Sequence, residues 1–226
     1  MDYIADKERA KEYYAYLMLT VGAASGAVLS NNLVLLLVFW GIIVMMLYAL
    51  ISIGGRESYR AAGKSLVLVG GSDFVLLLGV AIVWFLTKNL TISEIQLPFT
   101  RMATAAFIFM MIGAITKAGA MPFHTWIPDA AEVAPASVMA LLPAALDKLL
   151  GIYLLMRICG KLFTLSYGLN LILMIIGAVT IIAGVMMALV QSDLRRLLAY
   201  STVSQVGYMI LGIGTGTPVG IAGGLF

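Results

Sequence analysis

Two lysines lie deep inside apolar stretches of this chain. Lys117 falls near the end of RMATAAFIFMMIGAITKAGAMPFHTW, and Lys148 lies near the middle of PASVMALLPAALDKLLGIYLLMR. An ionised side chain at the centre of a bilayer costs roughly 2.5–3.5 kcal/mol even on insertion-based scales. Chains that keep such residues commonly use them to move protons or ions, because an amine held away from water gives up its proton more readily. The two lysines therefore indicate a proton relay.

Each lysine also has a structural interpretation. The ammonium of Lys117 could reach the membrane surface from the end of its helix, as long basic side chains often do. Lys148 is too far from either helix end to do so easily, but it could form an ion pair that holds helices together. Asp147 would then either tune Lys148 or pair elsewhere, because neighbours in sequence point about 100° apart on a helix. For both lysines we favour the relay.

Other titratable residues are further candidates for the relay. Asp73, in GGSDFVLLLGV, is the only acid inside its predicted helix. It suits a neighbouring lysine as a partner, and the alternative is a helix-packing contact near the inner interface. His124 and Glu132 flank a predicted helix break, where a histidine could pass protons on or serve a structural role. The full set of predicted relay residues is Lys117, Lys148, Asp73, His124, Asp147 and Glu132.

The composition excludes several classes of protein. Hydrophobic residues make up 62% of the chain and charged residues 11%, which is typical of a membrane protein rather than a water-facing globule. One cysteine and one histidine cannot form an internal disulfide or a histidine-built metal centre. The net charge of +3 is spread over loops, so we expect no nucleic-acid partner. We also expect no cofactor, no metal ion and no catalytic or redox centre.

Apolar runs long enough to cross a bilayer predict an all-α bundle of spanning helices. The predicted helices lie at about 13–30, 32–52, 66–87, 102–118, 136–158, 169–190 and 194–214, with a short piece at about 123–132. Pro122 and Pro128 cannot continue a helical hydrogen-bond ladder, so MPFHTWIPD predicts a break in one helix. Broken helices at membrane depth require a protein or water-filled environment and often lie at ion sites in transporters.

Basic residues in the loops predict the orientation. Eight of them fall on one side of the predicted membrane and four on the other: Lys7, Arg9, Lys11, Arg56, Arg60, Lys64, Arg195 and Arg196 against Lys88, Arg101, Arg157 and Lys161. The excess favours a cytoplasmic N-terminus, and we expect a prokaryotic cell membrane. The final residues, GTGTPVGIAGGLF, look like the start of another element, so we expect a fragment or a split gene.

Three segments in a fixed order resemble one known family. KAGAMPFHTWIPDAAEVAPASVMALL is similar to the signature of the antiporter-like membrane subunits of respiratory complex I, multisubunit Na⁺/H⁺ antiporters and energy-converting membrane-bound hydrogenases. LVQSDLRRLLAYSTVSQVGYMILGIG resembles the inner loop and next helix of that family. GRESYRAAGKSLVLVGGSDFVLLLG resembles its loop and helix further upstream.

The resemblance implies a fold and roles for particular residues. Its plan is two inverted five-helix repeats, each with a broken helix, so the chain would run from about the fourth to the tenth helix. Residues 13–158 would form the first repeat and 159–226 the start of the inverted second one. Lys117 would be the lysine of the broken helix, Asp73 the acid of the preceding helix and Lys148 the relay lysine of the next. Gly41 stands where the family usually has a glutamate, which would deprive Lys117 of its modulator.

These features predict a proton-translocating subunit, with Na⁺ as the alternative ion, within a larger redox-driven membrane complex such as an NADH-quinone oxidoreductase or a membrane-bound hydrogenase. Its partners would be the other membrane subunits of that complex and the lipid bilayer. Two alternatives remain open. One is a structural subunit that keeps the fold but conducts nothing, and the other is a stand-alone antiporter, which fits less well because one half of the inverted pair is absent.

Overall fold

The computed structural model describes residues 9–226, so Lys7 lies outside the described residues. Within this range the chain is helical, with two isolated β-bridges and no strands. The helices, in chain order, are α1 (Ala10–Leu29), α2 (Leu33–Ser52), α3 (Ser58–Thr87), α4 (Arg101–Ala118), α5 (Trp126–Val133), α6 (Ala136–Leu162), α7 (Tyr167–Leu189), α8 (Leu194–Gly214) and α9 (Pro218–Leu225). The prediction of an all-α, polytopic membrane helix bundle is confirmed.

Six helical spans in the described range are long and apolar enough to cross a membrane. They are α2, α3, the broken span Arg101–Val133, α6, α7 and α8. The predicted span at 13–30 is a helix of 20 residues, α1, but it is not among the six. Glu12 and the tyrosines in its first two turns make this helix less apolar than the others. The division into a first repeat at 13–158 and a second at 159–226 stays a prediction.

Two predicted helices are longer than expected. The helix placed at 66–87 begins at Ser58, because Ala61, Ala62 and Ser65 give the segment a buried face that extends the helix. The helix placed at 136–158 continues to Leu162 through a last π-helical turn. Both α3 and α6 contain wide π-helical turns, at Leu66–Gly70 in α3 and at Leu142–Leu146 and Ile158–Leu162 in α6.

The predicted helix break lies between α4 and α5. Gly119 ends α4 with φ +86°, a left-handed conformation that glycine adopts without strain. A short 3₁₀ turn, Phe123–Thr125, then leads into α5. The backbone N–H of Met121 donates to Thr180 Oγ1 at 3.2 Å, so α7 satisfies one of the groups that the break frees. Pro128 is not part of the break. It lies in the first turn of α5, where its missing N–H has no helical acceptor to satisfy.

Charged residues form contacts at the two ends of the bundle. At one end, Lys64 Nζ lies 2.6 Å from Asp129 Oδ2, and Arg9 donates to the carbonyl oxygen of Ile53 at 3.1 Å. At the other end, Arg157 donates to the carbonyl oxygen of Ser30 at 3.5 Å. These contacts place Lys64 and Arg9 at one end and Arg157 at the other, as the loop charges predict. A cytoplasmic location of the N-terminal end stays a prediction.

Candidate functional site

Lys117, in the last turn of α4, is fully buried. Its Nζ donates to the backbone carbonyl oxygen of Trp40 in α2 at 3.1 Å and lies 4.4 Å from the centroid of the Trp40 ring. The indole face attracts a cation through its quadrupole, and the carbonyl oxygen accepts one of the three ammonium protons. The side chain therefore points into the bundle and does not reach the membrane surface, contrary to the snorkelling alternative.

Asp73 lies in the middle of α3 and contacts the same tryptophan. The indole Nε1–H of Trp40 donates to Asp73 Oδ1 at 2.9 Å. Trp40 thus contacts the acid with its indole nitrogen and the amine with its ring face and backbone oxygen. This hydrogen bond joins α2 to α3, so it is also a helix-packing contact, although Asp73 lies in the middle of α3 and not near an end. Sequence reasoning missed Trp40, although a buried indole N–H usually needs an acceptor.

Asp147, at the start of the regular part of α6, is also fully buried. Neither of its carboxylate oxygens has a hydrogen-bond partner within residues 9–226. Asp73 and Asp147 both act electrostatically on Lys117, and they act on each other. Neither acid forms a direct ion pair with the ammonium. The three residues therefore form a cluster of one amine and two carboxyl groups, here called the buried triad, in which Lys117 and Asp147 are fully buried and Asp73 is half-buried.

Lys148 lies outside the buried triad. It is half-buried and lines a cavity of about 380 Å³ between α6 and the start of α8. The polar side chains that line the same cavity are Arg195, Ser201, Thr202 and Gln205. In the described part of the chain Lys148 forms no ion pair, so the structural alternative of a helix-linking ion pair has no partner there. Asp147 and Lys148 face different surroundings, as their 100° separation on the helix requires.

The remaining predicted relay residues lie around the broken helix. His124 is buried in the 3₁₀ turn, with its ring centroid 6.2 Å from that of Tyr200, and its Nδ1 has no hydrogen-bond partner among residues 9–226. Glu132 is largely exposed and lies 3.6 Å from Arg196. The structure therefore brings three of the six predicted residues together and leaves Lys148, His124 and Glu132 outside the triad.

Gly41 lines an open groove between α2 and α3. A Cβ atom at Gly41 would meet no atom within 4 Å, so a larger side chain could be accommodated there. Asp73 lines the same groove, whose volume is about 550 Å³. The carboxylate beside Lys117 thus comes from α3, the neighbouring helix, and position 41 need not supply it. The expectation that Gly41 deprives Lys117 of its modulator stays a prediction.

The buried triad offers groups that gain and lose protons but no nucleophile positioned by a base. Lys117 and Asp147 are fully buried, whereas Asp73 is half-buried at the open groove between α2 and α3. Ionisable side chains that face the interior of a bundle are typical of proton-translocating membrane proteins. Within residues 9–226 no group of three or more His, Cys, Asp or Glu side chains could hold a metal ion. The chemistry that the triad supports directly is proton transfer.

The Trp40–Asp73 hydrogen bond makes a first prediction. Trp40→Phe keeps an aromatic ring beneath the Lys117 ammonium but removes the N–H that Asp73 accepts. Hydrogen bonds to charged groups contribute about 1.5–3 kcal/mol, so we expect the free energy of unfolding to fall by about 2 kcal/mol. Chemical denaturation of the chain in detergent measures this value. Trp84→Phe is the control, because Trp84 is half exposed and should tolerate the same change. Equal stabilities of the two variants would contradict the prediction.

Comparison with known families gives a match over most of the chain. Residues 30–226 match the family described as "NADH:quinone oxidoreductase/Mrp antiporter, TM". Among curated relatives, the chloroplastic NAD(P)H-quinone oxidoreductase subunit 5 of Adiantum capillus-veneris is 36% identical over 216 residues, which cover 90% of this chain and 29% of the relative. The corresponding protein of Tecoma stans is 32% identical over 231 residues, covering 96% of this chain and 30% of the relative. The chain thus spans about 30% of the length of these relatives.

Solved structures share the fold. A chain of the Mrp complex from Dietzia sp. DQ12-45-1b superposes with a TM-score of 0.86 at 23% identity, over 93% of this chain and 40% of that one. A chain of the archaeal membrane-bound sulfane sulfur reductase gives a TM-score of 0.80 at 25% identity, over 88% and 42%. A chain of respiratory complex I from Thermus thermophilus gives 0.79 at 26% identity, over 91% and 46%.

Proposed function

We propose that this chain, which belongs to the NADH:quinone oxidoreductase/Mrp antiporter family of transmembrane proteins, is a proton-translocating subunit of a larger membrane complex. The family resemblance drawn from the sequence motifs is confirmed, and the chain is a multi-pass integral membrane protein. The observation that carries the proposal is the burial of Lys117 between two carboxylates inside the bundle. An apolar side chain could fill that position, so packing alone does not explain why an amine is there.

The similar solved structures support the proposal of partner subunits. They come from an Mrp complex, a membrane-bound respiratory complex and respiratory complex I. We propose that this chain also assembles with other membrane subunits, which would carry out any electron transfer. The apolar groove along α2 and α3 and the exposed apolar residues of α7 leave ample surface for lipid or for such neighbours.

In the proposed mechanism, protons pass between protonatable side chains that are kept away from lipid. Lys117 takes up a proton in the buried triad, and Lys148 receives it at the cavity beside α8. His124, beside the helix break, would exchange protons with the triad, and Glu132 with its partner Arg196 lies at the same end of the bundle as the cavity that Lys148 lines. Charge changes in a neighbouring subunit would alter when each lysine releases its proton.

The translocated ion is proposed to be H⁺ and not Na⁺. The buried triad includes an ammonium, which repels a bare cation. An amine can instead bind and release H⁺ itself, so the presence of Lys117 in the triad favours proton transfer. Measuring the uptake of radioactive sodium beside that of protons, in vesicles that hold the assembled complex, distinguishes the two ions.

Replacing Lys148 tests the part of the route at the cavity beside α8. Lys148→Ala removes the amine from the cavity beside α8, and we expect ion translocation by the assembled complex to be lost while the complex still assembles. Proton movement into vesicles is measured with a pH-sensitive dye. Lys161→Ala is a matched control, because Lys161 is an exposed lysine near the end of the same helix. Native proton movement by the Lys148→Ala complex would show that this lysine is no part of the relay.

A further inference from the structure

We propose that Asp147 is the proton carrier between Lys117 and Lys148, so that α6 passes a proton from one of its faces to the other. The inference rests on the proposed function and adds a residue-by-residue route to it. The amine-to-amine transfer that the two lysines suggest is replaced by a transfer through a carboxylate. Asp147 is thereby a relay residue in its own right and not only a group that tunes Lys148.

The burial of Asp147 is the first support. Its side chain has no exposed surface, and both carboxylate oxygens are without a hydrogen-bond partner among residues 9–226. A buried ionised group without hydrogen bonds is costly, and buried polar groups in proteins are almost always paired. A carboxylate that receives a proton, directly or through a bridging water, relieves that cost. The unpaired oxygens therefore indicate a group that exchanges protons rather than one that holds helices together.

The position of Asp147 on α6 is the second support. The face of α6 that carries Gly151, one turn after Asp147, lies against the backbone of α4, where a Cβ on Gly151 would come within 2.7 Å of Ala114 and Ala118 atoms. Lys117 directly precedes Ala118 on α4. Asp147 therefore faces the helix that carries Lys117, and the two side chains interact electrostatically.

Lys148, the next residue on α6, faces in a different direction from Asp147. Lys148 lines the cavity beside α8 together with Arg195 and Gln205. A proton on Asp147 is thus one residue away from an amine that lines a cavity with both apolar and polar side chains. The π-helical turn Leu142–Leu146 directly precedes Asp147, and such turns widen a helix locally and are frequent at functional sites. In this way α6 separates the triad from the cavity and carries a protonatable group on each side.

The proposed transfer conserves atoms and charge. An N–H bond of the Lys117 ammonium breaks and an O–H bond forms on Asp147, which leaves a neutral amine and a neutral carboxylic acid. The O–H bond of Asp147 then breaks, the proton binds the neutral amine of Lys148, and the carboxylate is restored. Lys148 releases the proton into the cavity beside α8. Lys117 then takes up another proton from the side of the triad that faces away from α6. Bridging water completes each transfer where the side chains are not in contact.

The test uses the native complex, purified through a tag on this chain and reconstituted into vesicles. Asp147→Asn keeps the size and polarity of the side chain but removes its ability to carry a proton. We expect the protons moved per turnover to fall to the level of a Lys117→Ala complex, while subunit content and electron-transfer rate stay native. A purely structural Asp147 would instead tolerate asparagine.

The outcomes separate this inference from the proposed function. If Asp147→Asn keeps native proton movement while Lys117→Ala and Lys148→Ala lose it, the carboxylate is not a carrier and the inference is overturned. If all three variants keep native proton movement, the proposed function itself is wrong. If Asp147→Asn fails to assemble, the native complex is treated with a hydrophobic carbodiimide, which adds to carboxylic acids in their protonated form. Labelling of Asp147 with a parallel loss of proton movement supports the inference, whereas no labelling, or labelling with native proton movement, overturns it.

Discussion

Replacing Lys117 by alanine should abolish proton movement through this subunit. The substitution removes the only amine of the buried triad and leaves Asp73 and Asp147 without a nearby cation. Removing one partner from a buried set of charges destabilises a protein by about 3–5 kcal/mol, so a fall in the free energy of unfolding should accompany the loss of transport. Proton movement by the reconstituted complex and chemical denaturation in detergent measure the two effects.

A milder substitution distinguishes loss of transport from loss of stability. Lys117→Gln keeps a hydrogen-bond donor for the carbonyl oxygen of Trp40 but cannot carry a proton. The Gln variant should be more stable than the Ala variant and should still move no protons. The control is Lys161→Ala, which removes an exposed lysine. Proton movement by the Gln variant at the native rate would contradict a role of Lys117 in transport.

Replacing Gly151 by leucine should cause a large loss of stability. A Cβ on Gly151 would lie 2.5 Å from the carbonyl oxygen of Ala114 and 2.6 Å from the backbone nitrogen of Ala118. These are backbone atoms, which cannot rotate away, so α6 must move away from α4. Overpacking of this kind costs about 3 kcal/mol, and the movement also separates Asp147 from Lys117. We expect a lower free energy of unfolding and a loss of proton movement in the same variant.

Gly160 provides the matched control on the same helix. A Cβ on Gly160 would meet no atom within 4 Å, so Gly160→Leu should leave both the stability and the proton movement close to native. Chemical denaturation of the two variants side by side measures the difference. If Gly151→Leu and Gly160→Leu are equally stable, close contact between α4 and α6 does not hold the triad together.

Much of the helical architecture could be predicted from apolar runs. Runs of about 20 apolar residues are long enough to span the bilayer, and they locate α2, α7 and α8 to within a few residues. The break after α4 follows from Pro122, which cannot donate a helical hydrogen bond. The start of α3 was predicted too late because its first turns are polar and carry no apolar run, although Ala61 and Ala62 are buried.

The faces of the helices were harder to predict than their positions. Helical spacing assigns a side chain to a face only when each turn has the regular 3.6 residues. The π-helical turn Leu142–Leu146 precedes Asp147 and Lys148 and changes that spacing, so the sequence does not indicate which of the two residues faces α4. Both were predicted as relay residues, and the structure places Asp147 in the buried triad and Lys148 at the cavity.

The contacts of Asp73 also depend on tertiary structure. The sequence locates this acid on α3 but does not indicate that Trp40 of α2 donates to it, since the two residues are 33 positions apart. The sequence also does not indicate that Gly41 and Asp73 line the same groove between α2 and α3. An acid on an adjacent helix can occupy the same surroundings, and only the packing of α2 against α3 reveals it.

Proton movement by the complete complex, when Lys117 and Lys148 are both replaced by alanine, tests the central claim most directly. The complex is reconstituted into vesicles, its redox or transport reaction is started, and a pH-sensitive dye reports protons inside. If this chain conducts protons, the double variant assembles and moves none through this subunit, while the Lys161→Ala complex behaves as native. Native proton movement by the double variant would mean that the chain is a scaffold that keeps the family fold without conducting.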